Sequence, residues 1–178
     1  YYLARQDLQD QTPLYQQKFS ESEFGKDTFY VIPYHYLDAF LEYGLHFYKI
    51  DDYIVAVEDD ISSQIAKKEI DKDWFRQASS SKMRFNYEDM DFSAVFDPVY
   101  YYYSYPDLWN LDAADTDALF EHFIKVGMEE GRRANQSFSP MAYKEKNGDL
   151  LDCFGSSYPA YYKHYVTYGI NENRQCGF

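Results

Sequence analysis

Apolar positions change rhythm along this chain, and each rhythm predicts an element. Residues 1 to about 24 mix Leu, Tyr, Gln and acids without glycine, a weak helical pattern that Gly25 to Asp27 breaks. Phe29, Tyr30, Val31 and Ile32 form an unbroken apolar run ended by Pro33, and read as a short buried strand. Tyr36, Leu37, Phe40 and Leu41 recur at helical spacing, and Gly44 closes that helix. Leu45 to Ile50 alternates in strand fashion. Asp51-Asp52 then turns the chain and Tyr53 to Val57 returns as the partner, a hairpin despite a turn pair poorer than Asn-Gly. Ile61, Ile65, Ile70, Trp74 and Phe75 fall on one side of a helix read over 61–78, which Ser79-Ser80-Ser81 ends. From Lys82 to Asp91 the chain is polar with scattered aromatics, and the domain boundary is placed there.

Beyond that boundary the pattern repeats. Phe96, Pro98, Tyr101, Asp107, Leu108, Ala118, His122, Gly127, Glu130 and Arg132 return 42 positions later, without a gap. They reappear as Phe138, Pro140, Tyr143, Asp149, Leu150, Ala160, His164, Gly169, Glu172 and Arg174. A packing unit comes in adjacent copies because each buries its apolar face against the next. Asp97-Pro98 and Ser139-Pro140 are matched helix starts, with an oxygen-bearing cap followed by proline at the first helical position. Second helices over about 117–126 and 159–168 stop at Gly127 and Gly169. The swap of Gly131 for Asn173 marks a left-handed cap in both copies. The fold expected is α+β: a small N-terminal strand-helix-hairpin-helix unit over 1–91, followed by an all-α tandem helical repeat. The first copy spans 92–136, and the second, a terminal capping copy, spans 137–178.

Composition narrows the function. The chain has 178 residues, 46% of them apolar, with 21 Tyr and 14 Phe, enough to fill a core and too many for a disordered tail. Tyr combines an apolar ring with a wet hydroxyl and suits half-buried and binding surfaces. A net charge of −13 with no basic stripe argues against nucleic acid and anionic lipid surfaces as partners. No run of about 18 apolar residues is present, so no membrane insertion is expected. The chain starts Tyr1-Tyr2-Leu3 without Met, which reads as a processed or excised form and leaves a removed leader open. Cys153 and Cys176 replace Leu111 and Ala134 of the first copy together. That joint replacement predicts that they touch as a disulfide pinning the C-terminal tail, in an oxidising, extracytoplasmic setting.

The strings Phe96-Asp97-Pro98, Tyr100 to Tyr103, Tyr105-Pro106-Asp107-Leu108, His122-Phe123 and Gly127 to Arg132 resemble a tandem repeat of secreted and cell-surface proteins of Gram-positive bacteria. Phe138, Pro140, Tyr143, Asp149-Leu150, His164-Tyr165, Tyr168-Gly169 and Glu172-Asn173-Arg174 match it a second time. The resemblance covers roughly residues 92 to 175. It implies an extracellular accessory module of the kind found beside cell-wall hydrolases and carbohydrate-active domains, and it implies no particular ligand. The cysteine pair and Asn173 depart from the pattern. Residues 1 to 91 carry no resemblance.

Each candidate site has a plain structural reading beside it. His122 and His164 lie among apolar neighbours, and a residue required in both copies is more readily a structural histidine than a base. Asp107 with Arg132, and Asp149 with Arg174, are expected to pair inside their copies. Glu58-Asp59-Asp60, Asp71 and Asp73 invite calcium, but no EF-hand loop is present and a solvated acidic face is the preferred reading. Zinc-ligand spacings, nucleophile elbows and phosphate loops are absent, so no metal, cofactor or catalytic residue is expected. Tyr100, Tyr102, Tyr103, Tyr105 and Trp109 form the densest aromatic run. Four consecutive tyrosines on a helix are expected to leave some rings exposed as a platform for stacking on sugars. The function expected is therefore a non-catalytic extracellular module binding cell-wall or other polysaccharide through exposed aromatics. A protein–protein scaffold is the alternative, and an enzyme using His35 or His46 in the N-terminal unit is third.

Overall fold

Five short strands and a series of short helices make up residues 30–177, the part of the chain that the computed structural model describes. The chain is therefore mixed α+β. It divides into two units between Ile70 and Asp71. The helical pattern read over 1–24 and its Gly25–Asp27 break lie outside the described residues.

In the first unit, strand β1 (Tyr30–Pro33), β2 (His46–Ile50) and β3 (Tyr53–Val57) form an antiparallel sheet in the order β1-β3-β2. The hairpin expected at Asp51-Asp52 joins β2 to β3, with Tyr48 opposite Val55 and Ile50 opposite Tyr53. Asp51 takes a positive φ of 52°, which lets this tight turn close without glycine. Side chains alternate across the sheet. Val31, Tyr48, Val55 and Val57 pack with Ile61 on one face.

The expected helix at 36–41 is a 3-10 helix, Tyr34–Phe40. Its buried residues explain the tighter winding: Tyr34, Leu37 and Phe40 recur every third residue, the period of a 3-10 turn. The single helix expected over 61–78 is two helices, Ser62–Ile65 and Lys72–Ser80. Ala66 turns left-handed with φ 49° and ends the first. The chain between them runs against the sheet edge, where the Ile70 N–H donates to the Phe47 carbonyl and Tyr48 bridges to Glu69. Asp71 restarts the helix by accepting from the N–H groups of Asp73 and Trp74.

The polar stretch 82–91 belongs to the second unit, and forms a hairpin of β4 (Asn86–Tyr87) and β5 (Met90–Asp91). Its two turn residues, Glu88 and Asp89, both have positive φ, 49° and 61°. That turn favours Asn-Gly, because a Cβ is disfavoured in both places. Replacing Asp89 by glycine is expected to raise stability by about 0.5–1 kcal/mol in urea unfolding. Glu88 is the poorer site to change, since its carboxylate accepts from Lys163 Nζ at 2.5 Å.

From Pro98 on, the described elements are all helical. Asp97 accepts from the N–H groups of Val99 and Tyr100 and starts helix Pro98–Ser104; Ser139 accepts from Ala142 and starts Pro140–Lys146. Helices Thr116–His122 and Tyr158–His164 each run on into one widened π turn, Phe123–Gly127 and Tyr165–Gly169. Gly131 and Asn173 are left-handed, φ 67° and 52°. The chain after each turn pairs back on the helix start: the Asp97 N–H donates to the Ala134 carbonyl, and Ser139 to Cys176.

Candidate functional site

Aromatic rings build the site region from inside. The Phe96 ring lies 5.6 Å from Tyr101 and 5.1 Å from Phe123, and Phe138 lies 5.5 Å from Tyr143 and 4.5 Å from Tyr165. Tyr101 meets Phe123 edge-on at 79°, and Tyr143 meets Tyr165 at 72°. Edge-to-face pairs of this kind add about 0.5–1.5 kcal/mol beyond area burial.

On that frame the matched polar residues close in on each other. Tyr101 Oη and His122 Nδ1 share a hydrogen bond of 3.0 Å; Tyr143 Oη and His164 Nδ1 share one of 2.9 Å. Each hydroxyl lies against a glycine. A Cβ on Gly127 would fall onto Tyr101 Oη, and one on Gly169 onto Tyr143 Oη. Arg132 donates to Asp107 at 2.8 Å and to Glu130 at 2.5 Å, with its guanidinium 4.7 Å over the Tyr105 ring. Arg174 donates to Asp149 at 2.7 Å and to Glu172 at 2.5 Å. Asp107 is about half exposed. The pair is thus a register pin worth about 0–1 kcal/mol, and the buried rings dominate stability.

Burial pushes the Tyr143 hydroxyl up to about 12 and that of Tyr101 up as well, so neither phenol is ionised at neutral pH. Burial, helped by the charge of Arg132 or Arg174, lowers the pKa of His122 and His164 below the ordinary 6.5. The unfolded chain then binds protons that the folded chain resists. The stability these imidazoles contribute is complete above 6.5 and is lost as pH falls through the lower folded values. Melting temperature should decline below about pH 6.5 before most carboxylates titrate, and His122→Gln with His164→Gln should flatten that decline.

The expected aromatic platform is corrected. Tyr100, Tyr102 and Tyr103 are buried, at 3%, 0% and 3% exposure. Neighbours surround the helix on every side: Trp74 packs edge-on against Tyr102 and also against Tyr103, and Arg133 covers Tyr100. Tyr105 and Trp109 are half-buried with their polar tips engaged, Tyr105 donating to the Arg133 carbonyl and Trp109 to that of Tyr102. The expected disulfide is corrected too. Cys153 and Cys176 are both free. Cys153 faces solvent on the short helix Leu151–Phe154, while Cys176 is half-buried and donates to Tyr165 Oη at 3.1 Å, so the two thiols face different surroundings.

In the first unit, His46 pairs with Glu69 at 3.0 Å, and the His35 ring lies tilted at 45° against that of Tyr36. Tyr48 Oη donates to Asp60, whose carboxyl that bond holds down at about 2. Among the described residues no group of three or more His, Cys, Asp or Glu is placed to hold a metal ion, and no helix is long and apolar enough to cross a membrane. A cleft of about 160 Å³ in the second unit is lined by Ser79, Ser81, Phe85, Ser93, Phe96 and Asp97. Asp97, its acid, is already engaged as a helix cap.

Sequence reasoning missed Tyr162. It is fully buried, its hydroxyl donates to the Arg132 carbonyl, and its ring lies 5.3 Å from Phe123 and 5.1 Å from Phe138. It joins the two copies, and the signal was available: Phe120, 42 positions earlier, is also aromatic. No family model matches the chain, and no curated protein or solved structure matches it.

Proposed function

We propose that this protein is a non-catalytic module built for protein contact, with residues 92–178 acting as two copies of one helical packing unit. The observation that carries this is the duplicated polar cluster. The same Tyr, His, Gly, Arg, Asp and Glu meet at matching distances twice, and each group is engaged inside its own copy. A reaction centre needs a group free to meet substrate, and a nucleophile or base of suitable pKa beside it. These clusters spend their hydrogen bonds on packing.

The resemblance to repeats of secreted and surface proteins of Gram-positive bacteria supports an extracellular, cell-surface setting. That setting rests on the resemblance alone now that the thiols are free. Protein contact is favoured over polysaccharide because the exposed apolar side chains of the second copy are mainly aliphatic: Met141, Leu151 and Ile170, with Tyr168. Sugar stacking needs flat rings, and of the rings that promised them Tyr100, Tyr102 and Tyr103 are buried, while Tyr105 and Trp109 are half-buried with their polar tips engaged. Polysaccharide binding remains the second reading, favoured by Tyr168, whose exposure is 58%. Incubation with purified peptidoglycan and soluble polysaccharides should release no product and retain little protein. A soluble product whose formation disappears in His122→Gln or His164→Gln would overturn the non-catalytic reading. Retention lost in Tyr168→Ala would shift the assignment to glycan binding.

A further inference from the structure

Helix Lys72–Ser80 fills the space beside helix Pro98–Ser104 in one place and leaves it empty in another. Trp74 packs against Tyr102 and Tyr103. One turn on, the same helix face carries Ala78, and Ser79 and Ser81 follow. These small side chains leave the cleft of about 160 Å³ uncovered where helix Pro98–Ser104 begins.

The inner part of the cleft is carbon. Phe85, Phe96, Pro98 and Val99 line it and are buried. The Phe85 and Phe96 rings meet edge-on, 4.8 Å apart at 75°, and Phe120, outside the lining, packs on both at 5.2 Å. Rings held in this way need no reordering when a ligand arrives. The outer part is polar. Ser79 and Ser81 are exposed, and neither hydroxyl makes a hydrogen bond among the described residues. Asp97 is the charged member of the lining, and no Lys, Arg or His among the described residues lines it. The carbonyl end of helix Lys72–Ser80 adds partial negative charge.

Size and lining select the occupant. A cavity of about 150 Å³ holds one benzene ring, so this cleft has room for a single six-membered ring and not for an indole. A pyranose carries hydroxyls around its edge, and the carbon floor would leave them unpaired. A tyrosine entering ring first would strand its hydroxyl on the same floor. A carboxylate would meet Asp97 and the helix end with no cation to balance it. A phenylalanine ring fits the floor, and the serine hydroxyls at the mouth then lie where the backbone that carries the ring must pass.

We propose that this cleft is a binding site for the phenylalanine side chain of a partner protein, with Ser79 and Ser81 hydrogen-bonding the partner's backbone around it. A buried ring circled by polar contacts is the usual form of an interface anchor. This rests on the reading of the protein as a contact module and names the side chain that the partner brings.

NMR titration of the full chain tests it, with the Val99 and Met83 methyls and the Phe85 ring as reporters. The probes are toluene, which is the phenylalanine side chain alone, p-cresol, and Nα-acetyl-phenylalanine methylamide. Toluene should shift the reporters saturably with a dissociation constant in the millimolar range. Binding of p-cresol should be at least about fivefold weaker, and that of the methylamide several times tighter. Ser79→Ala combined with Ser81→Ala should remove the gain of the methylamide and leave toluene unchanged. Ala78→Phe should place a ring in the cleft and abolish binding of all three. Circular dichroism checks its fold, and the serine variant, changed only at exposed positions, decides the matter if that fold is lost. Reporters that do not move with toluene, p-cresol bound as tightly as toluene, a methylamide no tighter than toluene, or toluene binding that survives in folded Ala78→Phe would each overturn the proposal. Any of those results would strike this cleft alone. The contact-module reading falls instead with glycan retention or a released product.

Discussion

Gly127→Ala and Gly169→Ala are expected to destabilise the protein by about 1–3 kcal/mol each, by similar amounts. This reverses the usual sign. Alanine is better than glycine in a helix interior by about 1 kcal/mol. Here both glycines lie in the π turns, and the added methyl falls onto a tyrosine hydroxyl. At Gly127 it also sits 3.1 Å from Tyr101 Cζ, and at Gly169 2.9 Å from Tyr165 Cδ2. Tyr101 and Tyr143 are fully buried and cannot swing to solvent. The overpacked ring must shift, costing about 1–3 kcal/mol, and its hydrogen bond to the imidazole is lost, costing about 1 more. Thermal melts of the two variants should fall by several degrees. A melting temperature unchanged or raised at either position would mean that the hydroxyl does not rest there.

Tyr162→Ala should be the more damaging change, by about 3–5 kcal/mol. The side chain has no exposure and touches rings from both copies, so removing it opens a cavity at their junction. Tyr162→Phe separates the two contributions. It keeps the ring and leaves the Arg132 carbonyl without its donor, for a loss of about 1–2 kcal/mol. Urea unfolding of the three proteins provides the measurement. A phenylalanine variant as damaged as the alanine one would assign the junction to the hydroxyl alone, and equal stability of all three would show that the copies do not meet at this ring.

Much of the second unit was legible because its signals are local. Asp97 and Ser139 before proline mark helix starts, and Gly131 and Asn173 mark left-handed caps. The Asp107–Arg132 and Asp149–Arg174 pairs follow from reading the two copies against each other. The hairpin at Asp51-Asp52 was legible from alternation alone. What failed depended on distant neighbours. Ala66 carries no signal for a left-handed conformation, so two helices read as one. The tyrosine run read as partly exposed because a helix packed against one surface has an outer side. Residues Pro98 to Tyr103 are all buried, since Trp74, Phe96, Phe123 and Arg133 arrive from four separate segments. The cysteine pair followed from correlated replacement, which says that two positions changed together and nothing about which way each side chain points.

The central claim is that one set of contacts is made twice and that its histidines serve packing. Nitrogen NMR of the imidazoles of His122 and His164, followed through a pH titration of the full chain, tests it most directly. Both rings should titrate below 6.5, with matching Nδ1 shifts characteristic of a hydrogen bond. Tyr101→Phe should move only His122, and Tyr143→Phe only His164. An imidazole that titrates at or above the ordinary value, or two rings with dissimilar shifts, would contradict the account.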